Sequence, residues 1–254
     1  MMSDDADFLS VAQQAAQAAG HLLAKRKEGR LKIELSQGRD VKTREDRDAE
    51  AAILHFLRSR TAFPVLSEEA GGSFDPGSSQ PTWIVDPLDG TVNLSRGIPL
   101  CSVSVALWRG MQPILGVVYD FMREEMFTGQ VGQGASCNNQ PIRVSSTQEK
   151  SQGIMCTGFP VCGFFEEESL NEFIGKVQAW KKVRLLGSAA LSLAWVACGR
   201  ADAYAEDGIR FWDVAAGLAL VLAAGGSFDM TVPDASHRLS VIAGNGLQKP
   251  TPPR

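Results

Sequence analysis

Acidic residues stand where three apolar stretches of this chain end or begin. The three places are 65–69 "VLSEE", 83–91 "WIVDPLDGT" and 212–226 "WDVAAGLALVLAAGG". They contribute these carboxylates: Glu68, Glu69, Asp86, Asp89 and Asp213. A carboxylate beside buried apolar residues is costly unless its charge is compensated. The pattern therefore predicts that these acids share a compensating partner.

Each place also has a purely structural interpretation. Glu68 and Glu69 fit a solvated loop, "DPLDG" fits a type I turn, and Asp213 fits a helix cap that interacts with the helix dipole. The three structural interpretations are less convincing when they are taken together, because acids that converged without a partner would repel one another. A hard cation relieves that repulsion, and Mg²⁺ binds carboxylate, carbonyl and water oxygens.

The spacing within "DPLDGT" suits such a cation site. Asp86 is placed to bridge two metal ions, Asp89 to reach the second, and the Leu88 carbonyl to face the first. Gly90 and Thr91 follow at a predicted helix start, where free N–H groups bind phosphate. Paired metal ions beside a phosphate site are the layout for hydrolysing a phosphate ester. The haloacid-dehalogenase motif D-x-D-G-T is excluded, because the acids here are three residues apart.

The bulk composition narrows the range of partners. The chain has 254 residues, 44% of them apolar, and a net charge of −4, which disfavours nucleic acid or an anionic membrane as a partner. The five cysteines form no C-x-x-C pair and predict no disulfide framework. The stretch "MMSDDADFLS" lacks the features of a signal peptide, and 214–224 is about half as long as a membrane span. These features predict a cytoplasmic protein.

The pattern of elements predicts an α+β protein with two parts. In 1–145, helical spacing over 5–27 (with Gly29 as a stop) and over 46–60 accompanies strands of alternating apolar residues, which predicts two helices on a mostly antiparallel sheet. In 146–254, strands alternate with two apolar helices, and the first helix has Ser188 as its N-cap and Gly199 as its stop. We therefore expect a second, smaller sheet in a layered arrangement, with the boundary near residue 145.

These stretches closely resemble the inositol monophosphatase family. Both family signatures stand almost intact at 83–99 and 212–226, and the likeness runs from about residue 5 to 245 through "DVKTREDRDAE", "SEEAGG" and "GSAALSLAWVACGRADAYAEDGIRFWD". Two signatures at the right separation are far more specific than one motif. The resemblance implies a layered α-β-α-β-α sandwich of the inositol monophosphatase and fructose-1,6-bisphosphatase type, often a homodimer, and a Mg²⁺-dependent, typically lithium-sensitive phosphatase.

The resemblance also implies a set of metal ligands. Glu68, Asp86 and the Leu88 carbonyl would hold one Mg²⁺ ion. Asp86, Asp89 and Asp213 would hold a second ion, and a third would bind more weakly near Glu68. Because of this third ion, Glu68 is also counted among the catalytic residues. Residues 1–145 would thus supply most metal ligands, and 146–254 would supply Asp213 together with the substrate-facing residues.

Catalytic and substrate roles follow from the same resemblance. Thr91 and Asp46 would orient and deprotonate the attacking water, while the N–H groups of Gly90 and Thr91 would bind the phosphate. These roles agree with stabilisation of charge that develops in the transition state. The resemblance also implies these further substrate contacts: Ser188, Ala189 and Glu206.

Two arginines are left with open roles. Arg39 stands in "LSQGRDVK", where many relatives carry a lysine, and would substitute as a cation on the phosphate side. Arg210 precedes "FWD" and either contacts a second anionic group of the substrate or is a surface residue beside the site. The residues do not decide between these two interpretations.

The expected partner is a small phosphorylated substrate, without nucleic acid or membrane. "GTVNLSRGIP" and Glu206 are closest to the inositol type, which favours inositol 1-phosphate or a similar polyol or sugar phosphate. The alternatives on the same fold are fructose bisphosphate, 3′-phosphoadenosine 5′-phosphate and histidinol phosphate. An alternative from another class is a metal-binding regulatory protein with little turnover, which the complete set of predicted site residues argues against.

Overall fold

The computed structural model describes residues 7–25, 33–37, 40–159 and 167–246. Its helices are α1 Phe8–Ala24, α2 Arg44–Arg60, α3 Thr91–Ser95, α4 Glu167–Gln178, α5 Ala189–Ala197 and α6 Phe211–Ala223. Its strands are β1 Ile33–Gln37, β2 Asp40–Thr43, β3 Val65–Ser67, β4 Pro81–Asp89, β5 Ser102–Arg109, β6 Gln112–Asp120, β7 Glu125–Gln130, β8 Gly134–Cys137, β9 Gln140–Ile142, β10 Ile154–Thr157, β11 Lys182–Arg184, β12 Ala203–Arg210, β13 Ser227–Met230 and β14 Arg238–Gly244. Residues 39 and 162 lie outside the described ranges, and so does the prediction made for Arg39.

A seven-stranded sheet carries the first half of the fold. Its strand order is β3-β4-β5-β6-β7-β8-β9, and only the β3–β4 pair is parallel. Helices α1 and α2 pack together against one face of this sheet. The predicted arrangement of two helices on a mostly antiparallel sheet is therefore confirmed.

The two predicted helices differ from the observed ones mainly at their ends. The helix predicted over 5–27 is observed as Phe8–Ala24, while its outermost residues and Gly29 lie outside the described ranges. The helix predicted over 46–60 begins earlier, at Arg44, because Thr43 and Asp46 form a capping box at its start. This box places Asp46 in the first turn, which matters for the site.

Helices α5 and α6 form the middle layer of the molecule. Each contacts both the first sheet and a second, five-stranded sheet of order β11-β10-β12-β14-β13. Ten of the thirteen residues of α6 are buried, which agrees with a helix that is covered on all sides. Ser188 caps α5 by accepting a hydrogen bond from Leu191 N, and Gly199 follows the helix with a positive φ of 74°, as predicted.

Helix α4 supplies the outer layer on the second sheet. Its Lys176 pairs with Asp207 of β12 at 3.1 Å. Side chains alternate along a strand, so Asp207 faces away from Tyr204, which lies in the core cluster shared with α5 and α6. The resulting order of layers is helices, sheet, helices, sheet and helix, and the predicted α-β-α-β-α sandwich is confirmed.

The sequence predicted no element over 150–178, where the structure has one short helical turn, β10 and α4. The boundary predicted near residue 145 falls between β9 and β10, and one core cluster spans residues on both sides of it, so the division into two parts remains a prediction. Among the described residues no helix combines the length and the apolar character needed to span a membrane.

Candidate active site

Strand β4 carries two carboxylates near its C-terminal end. It pairs with β5 through Asp86↔Ser104 and Asp89↔Ser102, so three steps on β4 match two on β5. The extra residue is a β-bulge at Pro87-Leu88, where proline removes one backbone donor. The chain thus continues as a bulged strand through "DPLD" and does not form the type I turn that was the structural alternative.

Gly90 ends this strand and begins α3. Its φ is 91°, and a Cβ atom there would lie 2.7 Å from the Leu100 carbonyl oxygen. Both facts favour glycine, because other residues are strained at positive φ. The turn brings the Thr91 hydroxyl back to the Leu88 carbonyl, to which it donates at 3.0 Å.

Asp46 of α2 lies beside the same turn. Thr91 Oγ1 also lies 3.3 Å from Asp46 Oδ1, so its single proton can be donated to this oxygen in place of the Leu88 carbonyl. Asp46 Oδ2 accepts from Thr43 N and Thr43 Oγ1 at 2.5 and 2.6 Å. Burial is the main cause that raises the pKa of Asp46, and hydrogen bonds from Thr43 oppose it. The predicted pair of Asp46 and Thr91 is therefore in contact, with one carboxylate oxygen fixed by the helix cap.

Asp89 is held by the N-terminus of α5. Its Oδ2 accepts from Ser188 Oγ at 2.5 Å and from Ala190 N at 2.8 Å. Burial raises its pKa to about 6 in spite of these donors and of the Ala189 and Leu191 amides. The predicted substrate-facing residues Ser188 and Ala189 thus meet Asp89 in this structure, and their contact with a substrate remains a prediction.

Glu68 reaches the site because β3 runs parallel to β4. Ser67 is paired with Val85, and Glu68 N donates to Val85 O at 3.2 Å. Glu68 is therefore the neighbour of Asp86 across the two strand ends, and its side chain is half-buried.

Asp213 arrives from the second half of the chain on the first turn of α6. This turn is tied to β5, because Ser104 Oγ donates to Trp212 O at 3.3 Å and Trp108 Nε1 donates to Ala215 O at 3.1 Å. Since Ser104 is also the register partner of Asp86, these contacts bring Asp213 to the end of β4.

The carboxylates of this group raise one another's pKa. For Asp86 the causes are burial first, then the charges of Glu68, Asp89 and Asp213. For Asp213 they are burial, then Glu68, Asp89 and Glu206. Burial and these charges together raise both pKa values well above the ordinary range, so the four acids of the predicted metal site lie close enough to influence one another.

This group fits a divalent cation. The ion pairs between described residues involve none of Asp86, Asp89 and Asp213, so their charges repel without a basic partner at contact distance. In the described ranges no three histidine, cysteine or acidic side chains are arranged as a ready-made metal site, so the cation site itself remains a prediction. The donors are all hard oxygens of the kind Mg²⁺ binds.

Glu206 lies at the second-sheet side of the group. Its Oε2 accepts from Tyr204 OH at 2.7 Å, and its carboxylate rests against Gly158, where a Cβ atom would collide with it. Burial raises the pKa of Glu206 to about 7, and Asp89 adds to this while Tyr204 and Gly158 oppose it. The predicted Glu206 thus lies close enough to the metal-site acids to interact with them.

Arg210 bonds the Asp213 carboxylate through its backbone amide, while its side chain has other partners. Its guanidinium donates to the Ser236 carbonyl and lies over the Trp212 ring, 5.5 Å from the ring centroid. These contacts favour the interpretation of a residue beside the site, although no observation tests its contact with a substrate.

Sequence analysis missed three residues that support the site. Glu50 lies one helical turn after Asp46 and bonds the loop that carries Glu68. Tyr204 bonds Glu206, and Asn93 Nδ2 donates to the carbonyls of Leu100 and Leu186, each at 2.7 Å. The i, i+4 spacing of Asp46 and Glu50 was a readable signal, and Asn93 lay inside a quoted motif. Tyr204 gave no signal beyond its position two residues before Glu206.

Known proteins of one family are similar to this chain over most of its length. The family model of the inositol monophosphatase family matches residues 4–249. The chain is 36% identical over 243 residues to Nus factor SuhB of Escherichia coli strain K12 (94% of this chain, 91% of the relative). It is 39% identical over 244 residues to inositol-1-monophosphatase of Mesorhizobium japonicum, with the same coverage. The structure of inositol monophosphatase from Anabaena sp. PCC 7120 superposes with a TM-score of 0.80 at 36% identity, covering 94% of this chain and 91% of that one.

A layered α+β sandwich with a carboxylate-lined site between its sheets thus defines the class of protein. The chain belongs to the inositol monophosphatase family, as its full-length match shows. Membership implies phosphatase chemistry that depends on a divalent metal.

Proposed function

We propose that the protein hydrolyses a small phosphate monoester with Mg²⁺, and that the substrate is inositol 1-phosphate or a similar polyol or sugar phosphate. The observation that carries this proposal is the 3.3 Å contact between Thr91 Oγ1 and Asp46 Oδ1 beside the facing carboxylates of Asp86 and Asp213. A hydroxyl–carboxylate pair next to a cation site has the parts needed to orient and deprotonate a water.

Asp46 serves as the proton acceptor in this proposal. Its Oδ2 is fixed by two bonds from Thr43, so Oδ1 is the atom that receives a proton by way of Thr91. Burial raises the pKa of Asp46, and a carboxylate with a raised pKa is a stronger base near neutral pH. Thr91 orients the water, because its hydroxyl is held between Asp46 Oδ1 and the Leu88 carbonyl.

The metal site would use the donors that converge at the end of β4. Glu68, Asp86 and the Leu88 carbonyl would hold one ion, Asp86, Asp89 and Asp213 a second, with a weaker third near Glu68. When bound, Mg²⁺ polarises the phosphoryl group and offsets the charge on the leaving oxygen.

Substrate recognition would involve both halves of the chain. The N–H groups of Gly90 and Thr91 would bind the phosphate, and the Glu206 carboxylate would accept hydrogen bonds from polyol hydroxyls. The Ser188-Ala189 segment would line the same space. Arg210 would meet a second anionic group only if its bond to Ser236 were exchanged.

Phosphate release from a panel of esters tests this function. The panel contains inositol 1-phosphate, fructose 1,6-bisphosphate, 3′-phosphoadenosine 5′-phosphate and histidinol phosphate, each with and without Mg²⁺ and then with Li⁺. We expect Mg²⁺-dependent release from the inositol ester, inhibition by Li⁺, and no release by Asp213→Asn. If phosphate is released only from another ester of the panel, the proposed substrate would be that class of ester instead. A protein that binds Mg²⁺ but hydrolyses no ester would contradict the enzymatic function.

A regulatory role is the second candidate function. It is favoured by the name of the relatives from Escherichia coli and other bacteria, Nus factor SuhB. The complete set of predicted site residues supports turnover instead, because a protein that only binds is free to lose one of them. The panel separates the two, since a purely regulatory protein would release no phosphate.

A homodimer is the proposed assembly. Three exposed apolar side chains stand on segments that Asn93 connects: Val92 is 48% exposed, Ile98 43% and Leu185 55%. Asn93 connects them, because it bonds the backbone of Ile98 and of Leu186. Clustered exposed apolar residues are typical of interaction surfaces. Light scattering on the wild type and on Leu185→Asp would test this, with a dimeric mass expected only for the wild type.

A further inference from the structure

Glu50 is a buried carboxylate that the proposed reaction does not use. It lies on α2 one turn after Asp46 and is only 7% exposed. Its Oε1 accepts a hydrogen bond from Ser67 Oγ at 2.5 Å and another from Ala70 N at 2.8 Å. Ser67 is the last residue of β3 and Ala70 lies in the loop that follows it. None of the ion pairs between described residues includes Glu50.

This arrangement needs an explanation, because a buried carboxylate without a cationic partner is costly. A neutral side chain would fill the same space on α2 at a smaller cost. The two hydrogen bonds that Glu50 Oε1 accepts therefore indicate that the position of the loop after β3 matters for the protein.

The loop is the one that carries Glu68 and Glu69. Ser67 and Gly71 close it through two backbone hydrogen bonds, Ser67 N to Gly71 O at 2.9 Å and Gly71 N to Ser67 O at 3.0 Å. Glu50 bonds the side chain at the start of the loop and the amide just after Glu69. Both ends of the Glu68-Glu69 segment are thus fixed to α2.

We propose that Glu50 is a positioning residue that fixes the Glu68 carboxylate opposite Asp86 and thereby sets the Mg²⁺ affinity of the site. Helix α2 then serves the site twice, since Asp46 bonds Thr91 and Glu50 bonds the Glu68 loop. The inference rests on the proposed function only in taking Glu68 and Asp86 as metal ligands. Residues that orient metal ligands typically change affinity about 10- to 100-fold when they are removed.

The test measures Mg²⁺ binding without relying on catalysis. Mg²⁺ is titrated into wild type, Glu50→Ala, Glu50→Gln and Ser67→Ala, and binding is followed by calorimetry and by the Mg²⁺ concentration that gives half of the maximal rise in Tm. We expect the dissociation constant to rise about 10-fold or more in Glu50→Ala. It should change much less in Glu50→Gln, because an amide oxygen still accepts both bonds. Ser67→Ala, which removes one bond and leaves Glu50 in place, should give an intermediate rise.

Activity supplies a second readout that a merely structural role would not move. In Glu50→Ala we expect kcat to return close to the wild-type value at saturating Mg²⁺, with a higher Mg²⁺ concentration for half-activation. Asp48→Ala is the matched control on the same helix, since its pair with Arg44 is on the surface (42% and 56% exposed), and its Mg²⁺ affinity should not change.

Three results would overturn the inference. They are wild-type Mg²⁺ affinity in both Glu50→Ala and Ser67→Ala, a loss in Glu50→Gln as large as in Glu50→Ala, and a kcat that saturating Mg²⁺ does not restore. If Glu50→Ala does not fold, Ser67→Ala and Glu50→Gln still decide. A wild type that binds Mg²⁺ but hydrolyses no ester would refute the proposed function and leave this inference intact.

Discussion

Two sets of buried or half-buried carboxylates lie at the predicted site and are stabilised differently. Asp46, Asp89 and Glu206 are held by neutral donors, namely Thr43 and Thr91, Ser188 and Ala190, and Tyr204. Asp86 accepts one bond from Leu88 N at 2.9 Å and Asp213 one from the Arg210 amide, yet other carboxylates are among the main causes of their raised pKa. The first set is ordered by the protein alone, whereas the second requires a cation to be stable while charged.

The largest expected effect concerns the second set. Asp86→Asn and Asp213→Asn each remove a charged group that we propose as a metal ligand, so kcat with Mg²⁺ should fall by about 10³-fold or more, while circular dichroism stays that of the wild type. Asp229→Asn is the control, because Asp229 is an exposed residue of β13. Retained activity in either variant would refute the metal assignment.

Thr91 tests the first set. Thr91→Ala leaves Asp46 with its Thr43 bonds but removes the hydroxyl that connects it to the cleft, so kcat should fall about 100-fold with Mg²⁺ affinity nearly unchanged. Thr91→Ser keeps the hydroxyl and should retain most activity. A change in Mg²⁺ affinity as large as the change in kcat would place Thr91 with the metal-binding residues instead.

Stability without metal distinguishes the two sets most directly. A carboxyl group whose pKa is raised in the folded state holds a proton that the unfolded chain releases, so the free energy of unfolding falls as pH rises between the two pKa values. For Asp89 this window runs from about 4 to about 6. For Asp213 it begins at the same unfolded value and extends upward. Removal of the Asp213 charge also relieves its repulsion of Asp89.

Urea unfolding of the metal-free protein at several pH values measures this effect. We expect Asp213→Asn to become more stable than wild type as pH rises from about 4 to above 6, by roughly 1–3 kcal/mol. Saturating Mg²⁺ should abolish or reverse the difference. Equal stability of the two proteins at every pH would show that folding does not raise the pKa of Asp213.

The parts of the fold that could be predicted are those with strong local patterns. The helices α1, α2, α5 and α6 followed from apolar spacing, and Ser188 as an N-cap followed from its residue type. The β-bulge at Pro87-Leu88 could not be predicted, because it is a matter of register with β5. Strand β10, "IMCT", is too short for its alternation to be recognised.

The site was predictable as a set of residue types and not as a set of contacts. Motif spacing indicated Asp86, Asp89 and Asp213, yet their meeting depends on Ser104, which pairs with Asp86 and bonds Trp212 O across 108 positions. No local pattern carries a contact of that separation. The same holds for Ser188, whose cap was predicted but whose bond to Asp89 was not.

The smallest expected effect concerns Tyr204 and the Glu206 carboxylate. Tyr204 is 1% exposed, and its hydroxyl fixes one oxygen of Glu206 at 2.7 Å while Gly158 leaves room for the carboxylate. Tyr204→Phe should free this carboxylate and raise KM for inositol 1-phosphate about 3- to 10-fold, the worth of one hydrogen bond. The kinetics with p-nitrophenyl phosphate, which has no polyol hydroxyls, should not change.

Tyr119→Phe is a matched control, because Tyr119 is the other of the two tyrosines in the chain and is also buried. It lies in the groove between α1 and the first sheet, away from Glu206, so neither substrate should be affected. An equal loss on both esters in Tyr204→Phe would mean that the hydroxyl supports the metal site and not the polyol. Glu206 would then belong with Asp86 and Asp213, among the acids that the cation rather than a neutral donor holds in place.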